Sequence, residues 1–261
     1  MAVAPSPEEI YDRAKEEGRR RLSMPALMQG STGFIAGVTI VFGIVALGMV
    51  EELVAPRFGE QFAAVAGALG FGIGLVLLVV GRSELFTENF FDPVAAAADQ
   101  RGSGAVVALG RLWVIVLALN LVGGAVMVGI FSVPGALPTG AHEALASVAE
   151  EIAGKTALAT FVRAVAAGTL LTLLSYLRNA VNSVGSRIVL AYMVGFFLAL
   201  GPFDHVIVSA LHLLFGVWVG GDVGFGDLAL NIAVAIPGNL VGGLLLMTFT
   251  HAVQVKASSG D

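Results

Sequence analysis

Two short stretches hold most of the side chains that could handle a proton or an ion. "GRSELFTENFFDP", residues 81–93, brings together an arginine, three carboxylates, a threonine and an asparagine. "GPFDH", residues 201–205, sets Asp204 beside His205. Each interrupts a run of apolar sequence, where an ionisable side chain is costly and therefore a candidate for function. The ordinary pKa of imidazole, ~6.5, lets His205 donate a hydrogen bond to an anion or protonate it. A neutral acid could then cross an apolar constriction closed to its anion. The competing assignment is a structural histidine bonded to loop backbone. His212 stands two helical turns on and can share a face with His205; as a histidine in a helix interface it needs no function. No HExxH pattern accompanies the two, so no metal site is expected. The absence of cysteine removes disulfides, thiolate ligands and thiol chemistry. No serine elbow is present, which leaves enzymatic chemistry only a His205–Asp204 base pair. No cofactor and no nucleic-acid partner are expected.

The elements that must position these residues are apolar. The chain is 57% hydrophobic and 13% charged, against about 25% charged in an ordinary soluble domain, and its mean hydropathy is +0.89. Thirty-four glycines suit close helix packing in lipid. A spanning helix needs roughly 20 apolar residues, and six runs qualify: about 30–50, 60–81, 106–131, 157–177, 188–217 and 228–251. The second continues past the first polar stretch to about 98, and "GPFDH" interrupts the fifth. The expected fold is thus all-α, with six transmembrane helices of which the second and fifth are broken. Irregular backbone cannot face lipid, so both breaks should be packed in protein or line a pathway.

Residues 1–27 read as a charged amphipathic helix opened by Ser6-Pro7-Glu8-Glu9, with no cleavable signal peptide. The transport domain spans 28–252, and 253–261 form a tail. Arg13, Lys15, Arg19, Arg20, Arg21, Arg101, Arg111, Arg178, Arg187 and Lys256 fall on one side of the expected membrane. The opposite loops hold only Arg57 and Lys155 against many acids. The positive-inside rule makes both termini cytoplasmic, in a cell inner membrane. "NLVGGAVMV" at 120–128 recurs as "NLVGGLLLM" at 239–247. Spans 1–3 and 4–6 therefore form an inverted repeat, with halves at about 28–132 and 155–252 and a pathway between them.

These motifs, in order over about residues 8–250, resemble the formate/nitrite transporter family. Glu84-Leu85-Phe86-Thr87 is similar to its "ELFT" loop, followed by Asn89; Phe203-Asp204-His205 resembles its "FEH" loop. Arg111, Trp113, Asn120 and Gly123 resemble the third-helix pattern, and Gly238, Asn239, Gly242 and Gly243 the sixth. The resemblance implies an aquaporin-like fold, a homopentamer and a small-anion or weak-acid substrate, with His205 at the centre of the pore. It also implies apolar constrictions at Phe71 and Leu75, and at Phe197 or Leu198, and a lysine, Lys155, at the outer mouth. Departures are Glu88, where a small residue is usual, Thr172 in place of an asparagine, and Val206-Ile207-Val208-Ser209 after the histidine.

On this reading Thr87 offers a hydroxyl to His205 across the pore, with Phe86 and Phe203 among the apolar residues that strip water from solute. Glu84 and Asp204 tie their loops, with Asn89, Asn120, Asn239 and Thr172 in support. Arg82 pairs with Glu84 or another carboxylate. Glu88 either faces the path, where it would repel anions, or is paired. Lys155 gathers anions or pairs with Glu150 or Glu151, and Arg163 needs a partner that the sequence does not name. The alternatives to anion transport are a pore for a small neutral solute and a non-conducting scaffold or sensor.

Overall fold

The computed structural model describes residues 5–100 and 102–258, which are helical with short connections and contain no strand. Arg101 and the expected ends of the N-terminal helix region and tail, residues 1–4 and 259–261, lie outside the described residues.

Helix α1 (Pro7–Ser23) begins at a capping box: Ser6 Oγ accepts from the Glu9 amide, and Glu9 Oε2 accepts from the Ser6 amide at 2.9 Å. Ile10, Ala14, Gly18, Arg21 and Leu22 lie on its buried face, at the spacing that puts side chains on one stripe. It crosses α4 (Asp92–Gln100) at Gly18, where a Cβ would collide with the Asp92 carbonyl.

Helix α2 (Ala26–Phe58) runs 33 residues, about 50 Å at 1.5 Å per residue. It turns at Gly59, φ 82°, into α3 (Glu60–Val80). Helix α5 (Ser103–Phe131) also packs on α2. The second half comprises α7 (Ala157–Ala180), α8 (Val184–Leu200), α9 (Val206–Val219) and a continuous rod from Phe225 to Ser258. That rod is α10 (Phe225–Leu240), a π-helical stretch Val241–Phe249 and α11 (Thr250–Ser258). Helix α3 packs on α8, and α7 on α10.

Among the described residues, five helices are long and apolar enough to cross a membrane: α2, α3, α5, α7 and the rod. The run expected at 188–217 is two shorter helices, α8 and α9. Large apolar side chains such as Ile35, Phe62, Val114 and Leu245 are exposed along the rods, as lipid contact requires.

One element was not anticipated. The segment read as an acidic loop contains helix α6 (Thr139–Ala153), which buries Ala141, Leu145 and Ala149 against α9 and α2. Their four-residue spacing is visible in the sequence, but at 15 residues the helix is too short to count among the spanning runs.

Candidate functional site

Helix α3 ends at Val80, and Arg82 takes a left-handed φ of 55°. Extended backbone follows to Leu85, then a 3-10 turn, Phe86–Phe90, before α4. In the second half α8 stops at Leu200 ahead of Pro202, whose ring cannot continue a helix. The chain resumes at α9 with His205 as its N-cap.

Each irregular segment is held by an asparagine. Asn120 Oδ1 accepts from the Phe86 amide (2.9 Å), and its Nδ2 donates to the carbonyls of Gly33 (2.8 Å) and Glu84 (3.0 Å). Asn239 Oδ1 accepts from the Val206 amide (3.0 Å), and its Nδ2 donates to Ala164 (2.8 Å) and Asp204 (3.0 Å). Both side chains are fully buried; the bonds to Phe86, Glu84, Val206 and Asp204 satisfy backbone groups that helix interruption would leave unpaired, and those to Gly33 and Ala164 tie each segment to a neighbouring helix.

Each segment also carries a buried carboxylate between two cations. Glu84 lies 3.2 Å from Arg20 and 3.3 Å from Arg21; neighbouring Arg82 is exposed and is not its partner. Asp204 takes Lys155 at 2.8 Å and Arg163 at 3.6 Å. Arg163 thus has its partner, and Lys155 binds Asp204 rather than Glu150 or Glu151. Glu88 is fully buried with Arg178 at 3.0 Å.

Between the two segments, Thr87 Oγ1 meets His205 Nε2 at 2.6 Å, with both residues buried. His205 Nδ1 accepts from the Val208 amide at 3.4 Å. In the neutral ring that assigns the proton to Nε2, which donates to Thr87, leaving the threonine's own proton for another acceptor.

A cavity of about 400 Å³ reaches His205 from the side of α6; Thr87, fully buried, is not part of its lining. His205, Phe71, Leu198 and Phe203 line it, and so do Lys155 and Arg163. Phe197 does not: it is 49% exposed, its ring against Phe203 at 5.1 Å. Of the two alternatives at this position, Leu198 faces the cavity. Leu75 is packed in the core. Phe86 stacks edge-on against Phe90 at 4.9 Å.

Around the 3-10 turn, Asn89 donates to the Leu85 carbonyl and accepts from Arg21. Thr172 Oγ1 is buried without a partner beside Gly243. On the α1 side a smaller polar cavity, about 100 Å³, is lined by Glu17, Arg20, Arg21, Glu84, Asp92 and Arg178.

Sequence reasoning missed Arg21 and Arg178 as parts of this arrangement. Arg21 is 2% exposed and reaches Glu17, Glu84 and Asp92. Burial opposes its charge, but the carboxylates of Glu84, Asp92, Glu17 and Glu88 outweigh that and raise its pKa. Nothing in "EEGRRRL" separates this arginine from its neighbours except its place on the apolar stripe.

Residues 8–253 match the family model described as Formate/nitrite transporter. The chain is 30% identical over 237 residues to a probable formate transporter of Methanothermobacter thermautotrophicus, covering 82% of this chain and 84% of that protein. It is 25% identical to the formate channel BtFdhC of Bacillus thuringiensis over 94% of this chain and 93% of that protein. With the inner membrane protein YfdC of Escherichia coli (strain K12) it shares 22% identity over 95% of this chain and 78% of that protein. Among solved structures, an FNT family ion channel superposes with TM-score 0.81 at 17% identity, covering 94% of this chain and 98% of the other. A pentameric formate channel with formate bound gives 0.73 at 20% identity, covering 87% and 96%. On sequence and fold together, the chain belongs to the formate/nitrite transporter family of membrane transporters and channels.

Proposed function

We propose that the protein passes a small monovalent anion, or its conjugate acid, between two inverted halves of six spans. The spans would be α2, α3 with α4, α5, α7, α8 with α9, and the rod from Phe225. The matching hydrogen bonds of Asn120 and Asn239 support the repeat, because they pair Glu84 with Asp204 and Gly33 with Ala164. Both termini would be cytoplasmic, with α1 lying within 1–27 on the inner face, the transport domain at 28–252 and the tail from 253. The formate-bound neighbour is a pentamer, which supports the same assembly in the inner membrane here.

The observation that carries the mechanism is the 2.6 Å contact of Thr87 with His205, the histidine at the inner end of the cavity. Stripping water from a bare anion costs tens of kcal/mol in the idealised Born limit. Passage therefore requires that the charge be reduced. His205 donates to Thr87, which leaves the threonine hydroxyl as a donor to solute passing the pair, so a strong hydrogen bond reaches the anion as its water is lost. Phe71, Leu198 and Phe203 supply the dry wall, Leu75 and Phe86 the packing behind the pair. Phe197 supports Phe203 from outside the cavity. Lys155 draws solute in while holding Asp204. Glu84, Asp204, Asn89, Asn120, Asn239 and Thr172 keep the irregular segments in place, and Glu88, neutralised by Arg178, does not repel the solute. No catalytic turnover is part of this reading.

Stopped-flow light scattering on proteoliposomes tests it. Formate or nitrite flux that rises with acidity and falls at least tenfold in His205→Ala is expected. Equal flux in the variant would remove the mechanism's centre. A pore for a small neutral solute is the second reading, favoured by the glutamates beyond the cavity, which oppose anions. Flux of urea alone, unchanged by pH, would establish it.

A further inference from the structure

We infer that His212 and Lys155 form a subsite, in the cavity on the α6 side, that takes the undissociated form of a weak acid. His212 lines that cavity and is 4% exposed. Its Nδ1 lies 3.0 Å from the Val208 carbonyl. A carbonyl can only accept, so Nδ1 carries the proton and the neutral ring presents a lone pair at Nε2. That Nε2 is buried with no hydrogen-bond partner. An orphaned acceptor of this kind is costly, and the partner it lacks is one that a solute in the cavity can supply.

The polar groups around it define that solute. Lys155 gives one hydrogen bond to Asp204 at 2.8 Å and keeps donors for another acceptor. Ser209 Oγ is turned to Asp204 at 3.4 Å, and His205 is engaged by Thr87 and the Val208 amide. Arg163 lines the same space, its Nε beside Asp204. Apart from the Glu51 and Glu151 carboxylates, the cavity thus combines the donors of Lys155 and Arg163 with a fixed neutral acceptor at His212. A carboxylate has only acceptors to offer, and its oxygen would face the Nε2 lone pair. An undissociated acid has both: its carbonyl accepts from Lys155 and its hydroxyl donates to His212.

A second observation points the same way. Glu51 and Glu151 line this cavity and also a wider space, about 600 Å³, ringed by Glu52, Glu60 and Glu143. Carboxylates at a mouth lower the local concentration of anions and leave that of neutral solutes unchanged. The carboxylates of the rim disfavour the anion, and within the wall the His212 lone pair favours the form that can donate to it. The two histidines then divide the work: His205 orients the hydroxyl of Thr87 as a hydrogen-bond donor, and His212 accepts a hydrogen bond. The inference rests on the reading of the chain as a weak-acid conductor, and refines which form enters on this side.

The test uses the full-length protein in liposomes, with ¹⁵N-labelled histidine and acetic acid as probe. The His212 Nε2 resonance, identified by its loss in His212→Phe, is expected to move upfield when acetate replaces chloride at the same mildly acidic pH. At alkaline pH, where the probe is the anion, it should stay. Initial acetic acid influx should fall about three- to tenfold in His212→Phe, the effect of one hydrogen bond. His212→Gln, whose amide oxygen can accept, should recover most of it. Gel filtration of both variants checks their assembly. No acetate-dependent shift in wild type, or no recovery by glutamine, overturns the subsite while wild-type flux keeps the conduction reading. No wild-type flux of any weak acid overturns both.

Discussion

Asn120 and Asn239 make the same three hydrogen bonds, each from one amide to the far side of an irregular segment and to a neighbouring helix. Two residues set the two halves of the polar site, and neither touches the Thr87–His205 contact.

Replacing either asparagine by leucine should therefore be equally damaging. Each substitution leaves one amide and one carbonyl of an irregular segment unpaired in a buried setting, at about 1–3 kcal/mol per group, while the carbonyls of Gly33 and Ala164 keep their bonds within α2 and α7. Loss of a monodisperse peak in detergent gel filtration, or a large fall in melting temperature, is expected for both. A variant at one position that behaves like wild type would show the two clamps to be unequal.

Glycines mark where the helices touch most closely. A Cβ on Gly37 would strike the Asn120 carbonyl, and one on Gly168 the Asn239 carbonyl. Backbone cannot move aside there, so Gly37→Ala and Gly168→Ala should prevent assembly. Gly104 and Gly110 of α5 have open space where a Cβ would stand. Alanine at either should be neutral or raise stability by up to about 1 kcal/mol. Expression and melting temperature of the four variants give the comparison.

Arg178 is the partner that makes Glu88 tolerable. Arg178→Ala leaves a fully buried carboxylate without its cation, which costs about 3–5 kcal/mol for a buried pair. Adding Glu88→Gln to that variant removes the stranded charge and should restore much of the melting temperature. If the double variant is no better than the single one, Arg178 matters through contacts other than Glu88.

Docking of α1 should fail in acid. Burial alone would raise the pKa of Glu17, but hydrogen bonds and charges from Arg20 and Arg21 outweigh it and lower it from 4.5 to about 2. A depressed pKa contributes stability that is fully present above the unfolded value and lost as pH falls from about 4.5 toward 2. Protection of the α1 amides from hydrogen exchange, after allowance for the intrinsic pH dependence of exchange, should fall over that window, and Glu17→Gln should show at neutral pH the protection that wild type shows in acid. Protection independent of pH would show that other contacts hold α1.

Much of this was legible in the chain. Apolar runs gave the helices because lipid-facing segments must be long and uniformly greasy. The two polar interruptions, the "NLVGG" pair and the order of the family motifs located Thr87, His205, Asn120 and Asn239, since each signal is local or repeated. Spacing could not show which cation meets which carboxylate. Arg21 instead of Arg82 reaches Glu84, Arg163 and Lys155 share Asp204, and Arg178 covers Glu88, all through contacts between segments far apart in sequence. Helix α6 escaped notice because its 15 residues fall short of a membrane span. The choice between Phe197 and Leu198 turned on the local path of α8 before Pro202. The residues determined that the chain enters a membrane and where its helices must stop. Only the tertiary structure decided how buried charges pair and which histidine nitrogen carries a proton, because both depend on partners that folding alone brings within a few ångströms.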